Sequence, residues 1–146
     1  MTISDNMMNF NLSEKEARQF SPLTMAFLGD CVYELMVRSA IVEAGSTPVG
    51  NLHSAKIKLV CAGFQARAAE RLLELFTEEE QSVFRRGKNA TGNTVPHNAS
   101  PADYRKATGL EAVFGYLQLS GNTQRLEALF SVIWDMREEL LLQGKQ

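Results

Sequence analysis

The 146-residue sequence lacks the features that would place it in a membrane, outside the cell or around a cysteine-bound metal. No apolar run approaches the roughly 18 residues that a membrane span needs. Residues 1–11 have neither a basic start nor an apolar centre, so they do not form a secretory signal. The two cysteines, Cys31 and Cys61, lack the spacing of metal ligands. We therefore expect a cytoplasmic protein with no membrane partner and two free, mostly buried thiols.

Strand-like alternation, hairpin signals, repeats and low-complexity tracts are absent too, which predicts an all-α fold. At 16.2 kDa the chain is most simply one domain over residues 1–146, with residues 1–12 loose. Capping and breaker residues predict helices from Ser13 to near Phe20, from Ser21 to about Glu43, from about His53 to Phe76, from Thr77 to Lys88, from Ser100 through Glu111 and from about Arg125 to Leu142, with connectors at Ser46–Asn51 and Asn89–Ala99.

One helical segment places a carboxylate, Asp30, among apolar residues. Those residues recur at three- and four-residue spacing, as on a packed helix: Leu23, Phe27, Leu28, Val32, Leu35 and Met36. A buried carboxylate is costly unless it is paired, hydrogen-bonded or bound to a cation. The neighbouring Gly29 costs about 1 kcal/mol of helix stability relative to alanine. We expect it where another backbone or a ligand comes close.

A second segment, Thr108–Leu117, has the same character. Its predicted apolar stripe consists of Leu110, Val113, Phe114 and Leu117. Glu111 lies beside the stripe, and Gly115 follows one turn later on the same side. Two helices that each carry an acid beside a glycine suggest a site assembled from both. Because exposed acids are common on helices, ordinary surface carboxylates remain the alternative.

The net charge of −2 is low for a nucleic-acid-binding protein, but the charges are unevenly distributed. Residues 53–106 hold 9 basic and 6 acidic side chains, a net +3. Five of the bases flank the polar loop Asn89–Ala99: Arg85, Arg86, Lys88, Arg105 and Lys106. They are candidates for contacts with an RNA backbone. A solvated surface, or charges that complement a helix C-terminus, would explain them equally well.

Several short motifs resemble one enzyme family. Phe27-Leu28-Gly29-Asp30 is similar to the signature helix of the ribonuclease III catalytic domain, and Leu110-Glu111-Ala112-Val113-Phe114-Gly115 is similar to its second catalytic helix. Three runs resemble the Mini-ribonuclease III branch: Asp30-x-Val32-Tyr33-Glu34, Arg86-Gly87-Lys88-Asn89-Ala90 and Thr94-Val95-Pro96. The resemblance extends from about Ser21 to Leu119 and implies the helical bundle of a ribonuclease III endonuclease domain.

The resemblance also implies a function. The chain would be a homodimeric endoribonuclease that uses Mg²⁺, or Mn²⁺ in its place, to cut double-stranded RNA, typically precursor large-subunit (23S) ribosomal RNA. Asp30 and Glu111 match the family's catalytic metal ligands. Larger family members carry further acids where this sequence has Ala26 and Thr108, and they carry a separate RNA-binding domain that we expect this chain to lack. Glu34 is a second-tier candidate, acting through water or forming only a salt bridge.

Three other functions of helical proteins compete with this one. A histidine–aspartate phosphohydrolase needs paired ligands, but His53 and His97 are followed by serine and asparagine. A helical nucleotide pyrophosphohydrolase needs Glu-x-x-Glu pairs, and Glu111 has no partner at positions 108 or 114. A non-catalytic RNA-binding or helical interaction protein stays open at this point. Metal-dependent cleavage of duplex RNA would distinguish the enzyme from it.

Overall fold

The computed structural model describes residues 10, 12–90 and 95–145, which form helices and turns without any strand. The helices are α1 (Glu14–Arg18), α2 (Pro22–Glu43), α3 (Val49–Val60), α4 (Ala62–Leu72), α5 (Glu78–Asn89), α6 (Pro101–Leu119), α7 (Thr123–Asp135) and α8 (Arg137–Gln143). The predicted all-α class is confirmed. None of these helices is both long and apolar enough to cross a membrane.

Side-chain caps fix the start of four helices, as the sequence predicts. The hydroxyl groups of Ser13, Ser21, Thr77 and Ser100 accept backbone N–H groups three residues ahead, at 3.1 to 3.2 Å. Glu16 and Glu80 complete reciprocal capping boxes at the first and third of these sites. Each cap satisfies amide groups that a helix start leaves without a partner, which sets where α1, α2, α5 and α6 begin.

Helix α6 lies at the centre of the bundle and packs against α2, α4 and α5. Every residue from Ala107 to Leu117 is buried except Glu111, which is half-buried. A helix that is covered on all sides needs apolar or small residues all round, and α6 has them. Its predicted apolar stripe is buried in full. Glu111 is therefore a carboxyl group placed on the most enclosed helix of the fold.

The predicted apolar stripe of α2 is only partly correct. The buried side of α2 carries Met25, Ala26, Gly29, Tyr33 and Val37. Members of the predicted stripe are half-buried or exposed, and Phe27 is 85% exposed. The small residues of α2 face α6 because they allow close packing, so larger apolar residues are displaced to another side of the helix. Within the described part of one copy, that side remains partly exposed.

Two long helices of the prediction are each broken into two. At Cys61 the backbone is extended (φ −67°, ψ 154°), and this residue separates α3 from α4. At Met136 the backbone leaves helical geometry between α7 and α8. Apolar spacing in the sequence predicts that the buried face of the first long helix carries Ile57, Val60, Cys61, Phe64, Ala68, Leu72 and Leu75. This predicted face is wrong at Ile57 and Leu75, which are exposed. It is correct at Phe64, Ala68 and Leu72.

The described residues of the predicted loose segment, Phe10 and Leu12, are packed rather than loose, and the two thiols are exposed rather than buried. Phe10 and Leu12 pack against the core, and the Leu12 N–H donates to the Leu119 carbonyl at 3.2 Å. The rest of residues 1–12, and residues 91–94 of the predicted loop, lie outside the described residues. Cys31 and Cys61 are exposed, so the prediction of buried thiols is wrong. Cys31 lies on the outer side of α2, and Cys61 lies at the helix break.

Candidate active site

Two glycines bring the backbones of α2 and α6 into direct contact. A Cβ atom built on Gly29 would lie 1.7 Å from the carbonyl oxygen of Glu111. One built on Gly115 would lie 1.8 Å from the carbonyl oxygen of Met25. Real Cβ atoms do not approach so closely, so any side chain at either position would force the helices apart. The prediction that these glycines permit a close approach is confirmed.

This crossing brings the two candidate acids together. Asp30 follows Gly29 directly, and Gly29 touches the backbone of Glu111. The carboxyl groups of Asp30 and Glu111 are within hydrogen-bonding distance of each other. Burial, with the neighbouring Asp30 carboxyl group, raises the pKa of Glu111 to about 9. Asp30 is exposed, so the expectation that it is buried is wrong, and Glu111 is the desolvated member of the pair.

Such a pair suits a divalent cation. Two carboxylates this close cannot both be ionised at neutral pH unless a positive charge compensates them. Oxygen donors are the ligands that Mg²⁺ prefers, and Mg²⁺ usually takes only one or two protein carboxylates. Within residues 10, 12–90 and 95–145, no group of three or more histidine, cysteine, aspartate and glutamate side chains is placed to hold a metal. The donor set therefore fits a cation that completes its shell with water and substrate.

Gln65 belongs to this site, and the sequence reasoning missed it. Its side chain is 2% exposed, and Nε2 donates to the carbonyl oxygen of Val60 at 3.0 Å. The same carboxamide favours the ionised form of Glu111 and so lowers its pKa, against the larger effect of burial. Oε1 has no hydrogen-bond partner in the described part of the chain. An unpaired amide oxygen on a buried side chain that neighbours Glu111 is a further feature that fits a hydrated cation.

Comparison with known proteins assigns the chain to a family. The sequence model of the Ribonuclease III domain matches residues 23–122, which include both acids. Mini-ribonuclease 3 from Thermoanaerobacter sp. (strain X514) is 40% identical over 128 residues, which cover 88% of this chain and 90% of that protein. Mini-ribonuclease 3 from Symbiobacterium thermophilum is 43% identical over 117 residues, with 80% and 90% coverage. The chain belongs to the Mini-ribonuclease 3 branch of the ribonuclease III family.

The fold agrees with this family. The crystal structure of a Fusobacterium nucleatum protein superposes with a TM-score of 0.73 at 27% sequence identity. The superposition covers 80% of this chain and 94% of the other. Membership of the ribonuclease III family makes the chain an endoribonuclease, a hydrolase acting on RNA. The alternative of a non-catalytic helical protein is thereby set aside.

The two positions at which larger ribonuclease III enzymes carry further acids hold no carboxylate here. Ala26 lies one turn before Asp30 and is buried against the core. Thr108 lies three residues before Glu111 and is also buried. Its hydroxyl group donates to the Tyr104 carbonyl within the same helix, at 2.9 Å. As far as the described residues show, the candidate site therefore consists of two acids and one buried amide.

Glu34, the second-tier candidate, forms an ion pair on the surface of α2. Its Oε2 lies 2.8 Å from Arg38 Nη2 and accepts a second hydrogen bond from Arg38 Nε at 2.9 Å. This is an i,i+4 pair, of the kind that contributes a few tenths of a kcal/mol to a helix. The geometry favours the structural alternative for Glu34 over a role near the cation.

The structure separates the five basic candidates by what they contact. Arg86 donates to the carbonyl oxygens of Arg18 (2.9 Å) and Phe20 (3.3 Å), so it ties the end of α1 to α5. Lys106 forms an ion pair with Glu70. The other three candidates differ in exposure: Arg85 is exposed, and Lys88 and Arg105 are half-buried. Arg86 thus has a structural role, which could not be predicted from its position in a run of basic residues.

Proposed function

We propose that this chain is a divalent-metal-dependent endoribonuclease that hydrolyses phosphodiester bonds in double-stranded RNA. In this proposal Asp30 and Glu111 are the metal ligands, and residues 1–146 act as one catalytic domain. The observation that carries it is the pair of neighbouring carboxyl groups at the glycine crossing of α2 and α6. The family assignment is independent of that geometry and agrees with it.

The chemistry follows from the placement of the two acids. A divalent cation, Mg²⁺ with Mn²⁺ as a substitute, supplies a nucleophilic water and stabilises negative charge on the leaving oxygen. Asp30 and Glu111 would hold the cation as two ionised carboxylates, and Glu111 would release its proton to solvent when the cation binds. The glycine contacts keep the carboxylates at a fixed separation, because neither helix can shift without losing backbone packing.

A cleavage assay on two matched substrates tests the proposal. The purified full chain is incubated with an RNA duplex or with one strand of that duplex, with and without millimolar Mg²⁺. We expect cleavage of the duplex but not of the single strand, and only when the metal is present. The metal concentration is millimolar because two carboxylates hold Mg²⁺ weakly unless substrate phosphates complete its shell. Equal cleavage of the single strand, or cleavage in a chelator, would show that the substrate or the metal is wrongly assigned.

We further propose that the natural substrate is precursor 23S ribosomal RNA and that the chain acts in the cytoplasm, where this RNA is processed. The support is the resemblance of the chain to the Mini-ribonuclease III branch, together with the absence of a membrane-crossing helix from the described residues. Mapping the ends of 23S RNA in cells depleted of this protein tests the assignment. Mature ends at normal abundance in depleted cells would rule it out.

A homodimer is the proposed working form. The outer side of α2 presents Phe27, Leu23 and Leu35, which are 85%, 47% and 49% exposed. Beside them a groove of about 650 Å³ runs between α2 and α7, with Val32 and Phe130 among its walls. Large apolar side chains next to an apolar groove are typical of an interface. A second copy that covers this side would place one site on each strand of a bound duplex.

Phe27→Glu should convert the dimer to a monomer, because a charge at the centre of an apolar interface is left without a partner. Phe27 is 85% exposed in a single copy, so the fold itself should be little affected. Sedimentation equilibrium measures the change. The control is Leu142→Glu, which alters another exposed apolar residue, on α8 and outside the groove. Dimerisation unchanged by Phe27→Glu would place the interface elsewhere.

RNA binding is proposed to depend on the basic residues around the 89–99 loop, above all Arg85 and Lys88. Replacing both by glutamine should weaken duplex binding at every sequence and flatten its salt dependence. The slope of log affinity against log salt should fall by about one unit for each phosphate contact removed. Binding titrations at several salt concentrations measure this slope.

Arg86→Gln is the matched control for this pair. Because Arg86 holds two backbone carbonyls, its loss should lower the melting temperature more than it changes the salt slope. A wild-type slope in the Arg85/Lys88 double variant would mean that these side chains are only solvated, and that the duplex lies against another part of the surface.

A further inference from the structure

The break between α3 and α4 is connected to the candidate site through Gln65, whose side chain interacts with both Val60 and Glu111. The extended backbone at Cys61 removes the last carbonyls of α3 from the helical hydrogen-bond ladder. Two buried side chains donate hydrogen bonds to these carbonyl oxygens. The Tyr33 hydroxyl donates to Leu59 at 2.5 Å, and Gln65 Nε2 donates to Val60 at 3.0 Å.

These two side chains differ in what else they do. Tyr33, on α2, uses its hydroxyl for the Leu59 carbonyl. The carboxamide of Gln65 has two N–H groups, of which one serves Val60 and the other is available to Glu111. Since Gln65 is 2% exposed, water cannot readily replace this contact. Gln65 is thus both a cap of the helix break and a neighbour of the candidate ligand.

We propose that Gln65 is a positioning residue, anchored on the Val60 carbonyl, whose carboxamide holds the Glu111 carboxylate in the orientation that binds the divalent cation. This inference rests on the proposed function of Asp30 and Glu111. A glutamate side chain has three rotatable bonds, and a fixed donor against its carboxylate removes most of that freedom. Residues that orient metal ligands in this way typically change metal affinity or activity by about 10- to 100-fold when they are replaced.

The test compares Gln65→Met with Tyr33→Phe. Gln65→Met keeps an unbranched side chain of similar length and removes both N–H donors. Tyr33→Phe removes the other cap of the same break and leaves the Gln65 carboxamide in place. The measured quantity is the Mg²⁺ concentration for half-maximal cleavage at saturating duplex. We expect it to rise at least about tenfold in Gln65→Met and less than about twofold in Tyr33→Phe.

A second readout does not depend on catalysis. Titration of the RNA-free protein with Mn²⁺, followed by the electron paramagnetic resonance signal of free Mn²⁺, should show weaker binding in Gln65→Met than in Tyr33→Phe. Melting temperatures without metal report the structural cost of each lost cap. If Gln65→Met does not fold, Gln65→Leu is used in its place, because leucine removes the same N–H donors and has a different shape.

The outcomes separate this inference from the proposed function. A wild-type Mg²⁺ midpoint in Gln65→Met, or equal shifts in both variants, would overturn the positioning role and leave Gln65 as a cap of the helix break. Asp30→Asn is measured in parallel. If Asp30→Asn cleaved normally, or wild type needed no metal, the proposed function would fail first. If both behave as expected, a normal Gln65→Met contradicts only the present inference.

Discussion

Asp30→Asn and Glu111→Gln are each expected to reduce cleavage of duplex RNA to background. Each substitution keeps the shape of the side chain and removes the charge that would hold the cation, and only two carboxylates form the site among the described residues. Turnover is measured at saturating duplex and Mg²⁺, so that weaker substrate binding does not obscure the effect. Circular dichroism and sedimentation should show an unchanged fold and oligomeric state.

The pH dependence of the melting temperature should also differ between wild type and Glu111→Gln, because the Glu111 carboxyl group is desolvated. Burial and Asp30 raise the pKa of Glu111 from 4.5 to about 9, so the folded state binds more protons than the unfolded state between these values. The stability that Glu111 contributes is fully present below pH 4.5 and is lost as the pH rises through about 9. Glutamine does not titrate. The melting temperature of the metal-free variant should therefore exceed that of wild type by a margin that widens from pH 5 to pH 9.

Glu34→Gln is the matched control for the turnover measurement. It removes a carboxylate one turn after Asp30, but that carboxylate is paired with Arg38 on the surface. We expect turnover within a few-fold of wild type. Near-normal turnover in either Asp30→Asn or Glu111→Gln would show that the residue concerned is not a ligand. A large loss in Glu34→Gln would give that residue a role that its ion pair does not suggest.

The features of the site that could be predicted were those that depend on residues close together in the sequence. An acid beside a glycine within an apolar helix lowers stability, so it indicates a functional role. Both such segments meet at the crossing of α2 and α6. Helix starts were equally predictable, because each capping side chain bonds an amide only three residues away. Such signals do not depend on how distant elements pack.

The unpredicted part depended on tertiary packing. The stripe from Leu23 to Met36 has helical spacing, but spacing does not say which side of α2 meets α6, and Ala26 and Gly29 decide that. The break at Cys61 has no proline to announce it. Its carbonyls are satisfied by side chains, one of them 26 residues away in the sequence. Gln65 had one available signal, a polar residue between Phe64 and Ala66 on an apolar helix.

Gly29→Ala and Gly115→Ala should have the largest effect on stability of any single-methyl change in the described helices. In both cases the new Cβ would overlap a backbone carbonyl of the facing helix, at 1.7 and 1.8 Å. A backbone group cannot rotate away as a side chain can, so the two central helices must separate. We expect a loss of more than about 4 kcal/mol, or failure to fold. Urea unfolding at matched protein concentration measures it.

Gly50→Ala provides the control, because Gly50 lies in the first turn of α3 and a Cβ at this position would have no atom within 4 Å. There the same methyl group should be neutral or stabilise the protein by up to about 1 kcal/mol, since alanine restricts the unfolded chain. The comparison isolates the helix contact from helix propensity. If Gly29→Ala retained wild-type stability, α2 and α6 would not touch at this point. Asp30 and Glu111 would then have no shared backbone contact to hold their carboxyl groups together, and cleavage by that variant would have to be explained by another pair of ligands.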